Sequence, residues 1–233
     1  MRPAIVTLSS SLVLLGVLTV AGAAQAQEAK AAPVVAVVVN DSGNDHDAVV
    51  GHFAVGYFGI SNLPLGVPAA AGGAGAAGVS QGTIAAPVIG VRYWISQKLG
   101  IDVGVGFIDS SAGWGVAAHG GVPLALATSR HMTFELIPEA TVAFAGNSPG
   151  GGVSFSGFKL DLGARIGGEI QFGFIGIPQL ALQATVGLYL EHDSWGFSSA
   201  KASGSVNATT FSTSVQNNPW GIFTDNVSAL YYF

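Results

Sequence analysis

The sequence predicts an all-β chain: an eight-stranded antiparallel up-and-down β-barrel that crosses a membrane with its strands. Three observations predict it. From Val49 to the C-terminus apolar residues recur at every second position, the period of a strand with two unlike faces rather than the 3.6-residue period of a helix. The opposite face carries Gly, Ala, Thr and a few charges, where a soluble barrel would show many Lys and Glu. The connections alternate between short turns and longer loops, as in barrels whose short turns lie on one side of a membrane.

Composition narrows the classes. Of 233 residues only 9% are charged and 49% are hydrophobic, with 34 glycines, so a disordered acidic chain and a coiled coil are excluded. The formal charge of -5 gives no footprint for nucleic acid. Cys is 0, which removes disulfides, thiolate metal sites and Cys nucleophiles. Arg2, the apolar run Leu12–Val20 and Ala24-Gln25-Ala26 have the layout of a signal peptide cut after Ala26, so residues 1–26 are expected to be removed on export. No later segment has the length of unbroken apolar sequence that a transmembrane helix needs. Residues 27–47 read as a periplasmic linker; its valine run Val34–Val39 shows no alternation. Residues 48–233 are left for the barrel.

Eight segments follow in order. Segment one, Val49–Ile60, shows Phe53, Val55 and Tyr57 on one face, and segment two, Ile84–Ile95, shows Ile89, Val91, Tyr93 and Ile95. Segment three, Leu99–Ile108, alternates Leu99, Ile101, Val103, Val105 and Phe107 with Gly100, Asp102, Gly104 and Gly106. Segments four to seven are Trp114–Ala127, Thr133–Ala145, Phe158–Phe172 and Gln179–Glu191; segment eight is Trp220–Phe233. Ser96–Lys98, Thr128–Met132 and Gly173–Pro178 are expected as short turns. Ser61–Thr83, Gly146–Gly157 and His192–Pro219 are expected as longer loops on the other side. Phe134 and Phe144 share a face, and ten residues at about 3.3 Å each, tilted about 40°, span roughly 25 Å, the height of a membrane band with an aromatic at each rim. Trp94, Trp114, Phe158 and Phe172 also fall near segment ends, where interfacial aromatics sit.

The last residues, Asn226-Val-Ser-Ala-Leu-Tyr-Tyr-Phe233, put Val227, Ala229, Tyr231 and Phe233 at alternate positions, with Leu230 out of pattern. This resembles the C-terminal signal of Gram-negative outer-membrane barrels. With the signal peptide, the eight segments and the loop asymmetry, the chain resembles the small eight-stranded barrels of the OmpA and OmpX kind. The resemblance implies a place in the bacterial outer membrane, lipid as the surrounding partner, recognition of Tyr231 and Phe233 by the barrel-assembly machinery, and a lumen plugged by charged side chains.

The candidate lumen network is Arg92, Asp102, Glu135, Glu139, Lys159, Asp161, Arg165 and Glu169, all on the non-apolar face of their segments. Charges facing lipid are costly, so these are expected to point inward and pair. The turn Ser96–Lys98 sets a register in which partner numbers sum to 194, so Tyr93 meets Ile101, Ile95 meets Leu99, and Arg92 meets Asp102. No catalytic, cofactor or metal site is predicted. Gly73-Ala-Gly-Ala-Ala-Gly78 fits G-x-G-x-x-G but lacks the strand and helix that a dinucleotide site needs. Asp45-His46-Asp47 and Glu191-His192-Asp193 read as solvated acidic clusters, and His52 and His119 as members of a structural polar network. The expected role is structural or surface interaction through extracellular loops, as a monomer and not as an enzyme. A narrow gated pore, a lipid-modifying barrel enzyme and a secreted lipocalin-like binder are the alternatives.

Overall fold

The computed structural model describes residues 43–68, 79–215 and 226–233. The expected signal peptide, the valine run and the G-x-G-x-x-G segment lie outside the described residues. Helix α1 spans Asp45–Val49, and ten strands follow: β1 Phe53–Pro68, β2 Val79–Ser96, β3 Leu99–Ser110, β4 Gly113–Gly121, β5 Leu124–Thr128, β6 Met132–Gly150, β7 Val153–Phe172, β8 Ile177–Ser198, β9 Ser203–Thr213 and β10 Val227–Tyr232.

All pairings are antiparallel and form one sheet. The sheet closes on itself because β10 bonds both β8 and β1, giving a ring of eight strands: β1, β2, β3, β4, β6, β7, β8 and β10. Strand β5 continues the line of β4 past Val122-Pro123, where Pro123 has no N–H for the ladder. Strand β9 pairs the distal half of β8.

The two faces of the wall differ as the period-2 pattern requires. Val103, Val105 and Phe107 point outward with 58%, 59% and 64% of their surface exposed, while Asp102, Gly104 and Gly106 between them are buried. Glycine and alanine crowd the inner face: a Cβ at Gly104 would press on Val88, and one at Gly100 on Trp94. A narrow ring has no space for larger residues at every inward position.

Several boundaries differ from the sequence reading. The expected loop Ser61–Thr83 is mostly strand, since β1 runs to Pro68 and β2 starts at Val79. Leu63, Pro64, Leu65 and Gly66 are all buried, so both faces of this stretch are covered and no alternation marks it. Gly146–Gly157 is a hairpin that turns at Gly151-Gly152, both at positive φ, which glycine adopts readily. Within His192–Pro219, β8 continues to Ser198 and β9 returns from Ser203; both faces are partly wet there, so Ser, Thr and Asn replace the apolar alternation. Segment eight is strand only over Val227–Tyr232, and residues 220–225 lie outside the described residues. Val49 belongs to α1, not to the first strand.

Both ends of the ring are covered. At one end α1 ties three turns together. The Asp45 N–H donates to the Arg130 carbonyl at 2.9 Å, and the Asp45 carboxylate accepts from the Gly173 N–H at 3.1 Å and contacts His131 Nδ1 at 2.7 Å. The Gln97 amide donates to Asp47 at 3.1 Å. Asp45 and His46 are therefore buried, against the expectation of a solvated cluster; His46 stands edge-on to Trp94, centroids 4.5 Å apart. Beneath the cap, Trp94, Leu230, Tyr232 and Ala181 form an apolar floor, which gives the out-of-pattern Leu230 its place. Trp94 is fully buried in this floor and is no interfacial aromatic, because it shares the inward parity of Arg92.

At the other end β1 and β2 leave the wall together. The pairing of β2 with β3 begins at Val88, after Pro87, and β1 bulges between Tyr57 and Ile60 at Gly59, whose φ is 103°. Beyond these points residues 60–68 and 79–87 form a two-stranded arm that folds across the mouth. One face of the arm, Leu63, Leu65, Ile84 and Ala86, packs on Ala117, Ala143 and Ala145 of the far wall. Its backbone reaches β7 and β8 so closely that a Cβ at Gly157 would collide with the Pro64 carbonyl, and one at Gly66 with the Gly196 carbonyl.

Candidate functional site

The interior between floor and arm holds the charged residues. Arg92 sits on β2 directly across from Asp102 on β3, in the register where partner numbers sum to 194. At the turn the register shifts, so Leu99 faces Ser96 and not Ile95. The Arg92 guanidinium grips Asp102 with two bonds of 2.7 Å, from Nε to Oδ1 and from Nη2 to Oδ2. Its Nη1 donates to Glu169 at 2.6 Å and to Glu135 at 3.3 Å. Such bidentate, charge-assisted bonds fix orientation as well as energy.

A second layer adds donors to the two glutamates, while Glu135 Oε1 is buried without a hydrogen-bond partner among the described residues. Gln183 donates to Glu135 at 2.7 Å, Gln171 to Glu169 at 3.1 Å, and the Tyr232 hydroxyl to Glu169 at 3.1 Å. Trp94 Nε1 in turn donates to the Tyr232 hydroxyl at 3.1 Å. Arg92, Glu135, Glu169 and Gln171 are 0% exposed, so this cluster is a fully buried block across the ring.

The second cluster centres on Arg165, whose Nε donates to Glu139 at 2.7 Å and whose Nη1 donates to Thr185 at 3.3 Å. The Tyr189 hydroxyl donates to the other Glu139 oxygen at 2.6 Å. His119 Nδ1 lies 3.1 Å from the Thr141 hydroxyl. Further out, Lys159 reaches Asp161 at 3.2 Å and Glu191 at 3.6 Å, Ser212 donates to Glu191, and Gln81 of the arm donates to Asp193 at 3.1 Å.

Above the Arg92 block lies a cavity of about 730 Å³, lined by the Arg165 and Lys159 clusters and roofed in part by Asn62, Pro64, Gln81 and Thr83 of the arm. Asp161 Oδ1, Asp193 Oδ1, Arg165 Nη2 and His119 Nε2 are buried polar atoms without a hydrogen-bond partner among the described residues. Buried polar groups of this kind are commonly satisfied by water where a polar cavity gives it room.

All eight charged residues named from the sequence therefore lie inside the ring, in three linked groups: Arg92 with Asp102, Glu135 and Glu169; Arg165 with Glu139; and Lys159 with Asp161. Sequence reasoning missed Gln171, Gln183, Tyr189, Glu191, Asp193 and Tyr232. The signal for four of them was the inward parity of Gln183, continued through Tyr189 to Glu191 and Asp193. His119 does face inward, but His52 is exposed at the opposite end and contacts an oxygen of Phe233. Tyr231 and Phe233 lie on the outer face, 46% and 69% exposed, with ring centroids 5.3 Å apart.

Among the described residues, no group of three or more His, Cys, Asp or Glu has the geometry to hold a metal ion. Compared with known proteins, the chain matches no family model, no curated protein and no solved structure.

Proposed function

We propose that the chain is a small transmembrane β-barrel of the bacterial outer membrane, and that its plugged interior suits it to a structural or surface-interaction role. One observation carries the reading: the partition of residues is the reverse of a soluble protein's. Arg92, Glu135 and Glu169 are fully buried, while Ile89, Val103, Phe107 and Leu188 are each more than half exposed. Among the described residues the exposed charges, Asp47, Lys98, Asp109, Arg130 and Lys201, all lie in the cap, a turn or a strand tip, and none is at mid-wall. Soluble monomers rarely expose apolar patches beyond a few hundred Å². Hydrocarbon around the wall accounts for both halves of the pattern, because neighbouring strands of the closed ring satisfy one another's backbone groups. The three short turns gathered by α1 then face the periplasm, and the longer β1–β2, β6–β7 and β8–β9 hairpins face outward.

The fully buried Arg92 block and the capped floor favour a plug over an open pore.

Full-length protein folded in detergent or recovered from membranes is expected to migrate differently on a mild SDS gel before and after boiling, because a closed ring resists SDS until heated. Fractionation should find it with the outer membrane. Recovery as soluble periplasmic protein, with one gel position at all temperatures, overturns the proposal.

A further inference from the structure

We propose that the arm, residues 60–68 with 79–87, is a displaceable strap over an acidic chamber, and that lifting it admits small hydrophilic cations in preference to anions. This goes beyond the proposed function and rests on the closed ring, not on its setting in a membrane.

The arm is built to move as one piece. Its strands pair with each other from Ile60↔Pro87 to Pro68↔Val79, and both leave the wall at the same level. At that level Gly59 has positive φ, the register of β1 shifts, and Pro87 has no N–H to give to β3. A bulge, a left-handed glycine and a proline at one height make a hinge; a rigid continuation of the wall needs none of them.

The arm is held by apolar packing and not by buried charge. Its Leu63, Leu65, Ile84 and Ala86 rest on Ala117, Ala143 and Ala145, with Ile108 and Phe155 alongside. Its polar tie to the chamber is Gln81 with Asp193. The floor, by contrast, is fixed by Trp94, Tyr232 and the Arg92 ion pairs. Of the two closures the arm is the one able to open without breaking buried charge pairs.

Behind it the charge is one-sided. Glu139, Asp161, Glu191 and Asp193 line the cavity against Lys159 and Arg165, four carboxylates to two cations. Deeper in, Arg92 faces Asp102, Glu135 and Glu169. A cleft with one sign of charge and low-dielectric walls concentrates the opposite ion.

The chain has no Cys, so a single introduced thiol is a unique probe. Ala143 lies fully buried under the arm. The test uses full-length Ala143→Cys folded in detergent and two small methanethiosulfonate reagents, one bearing a trimethylammonium and one a sulfonate. The thiol should react slowly, and adding Gly157→Val, which displaces Pro64, should speed labelling about tenfold as the arm opens. The cationic reagent should outpace the anionic one, on the order of tenfold after correction for a thiol placed by Ala200→Cys in the exposed β8–β9 turn. Gly66→Val serves the same purpose if Gly157→Val does not give the heat-shifted folded band. In the unmodified protein, hydrogen exchange at Leu63 and Leu65 should be faster than in the β6–β7 ladder. Unchanged labelling in a folded variant, equal or faster reaction of the anionic reagent, or equal protection of arm and ladder each overturns the proposal. The heat-shifted band reports the ring separately, so failure of the strap is distinct from failure of the barrel reading.

Discussion

Asp102 holds a guanidinium that is fully buried. Its carboxylate takes two of the bonds made by Arg92, and both side chains are fully buried. Removing one partner of such a pair leaves the other charge buried, which costs about 3 kcal/mol. Asp102→Ala should lower folded stability by that order in urea titrations. Asp109→Ala, at an exposed strand tip of the same β3, should show no measurable change. A double-mutant cycle on Arg92 and Asp102 should give a clear coupling energy, and a value near zero would show that Glu135 and Glu169 hold Arg92 unaided. This pair was legible in the sequence because a short turn fixes register and two opposite charges fell on matched numbers. The rest of its cluster was not, since Glu135 and Glu169 come from strands separated by long stretches of chain, and alternation says which way a side chain points, not whom it meets. Trp94 shows the same limit: nearness to a strand end suggested an interfacial aromatic, while parity with Arg92 sends it into the floor.

The short helix α1 does more than its five residues suggest. Asp45 joins the turn before β6, through Arg130 and His131, to the turn before β8 at Gly173. Asp45→Ala removes the acceptor of both side-chain contacts and should lower the urea midpoint by an amount equivalent to about 2 kcal/mol. Asp47→Ala, which removes only the solvent-exposed bond from Gln97, should lower the midpoint far less. Equal effects would mean that the cap acts through general charge and not through these contacts. The strands of the wall were legible wherever one side meets the interior and the other is apolar. The arm was not, since both of its faces are covered over Leu63–Gly66 and its Pro and Gly mimic a loop. The distal β8–β9 hairpin was missed for the opposite reason, as polar residues on both faces give no alternation while the backbone ladder continues.

Closure of the ring depends on its last strand. Strand β10 is only six residues long, yet it bridges β8 and β1. The Phe233 N–H donates to the Phe53 carbonyl at 2.8 Å, but the Phe233 side chain is 69% exposed and packs mainly on Tyr231. So little burial predicts a small contribution to the stability of the finished ring. If the terminal aromatic is a recognition signal for assembly, as proposed from its resemblance to outer-membrane barrels, its importance is kinetic and arises before closure. The two roles separate cleanly. Deleting Phe233 should sharply reduce the heat-modifiable form recovered from outer membranes of expressing cells. The same deletion refolded in detergent should give nearly the parental yield and midpoint. Equal loss in both settings would make Phe233 a structural residue of the β1–β10 seam, and equal retention in both would remove it from assembly altogether.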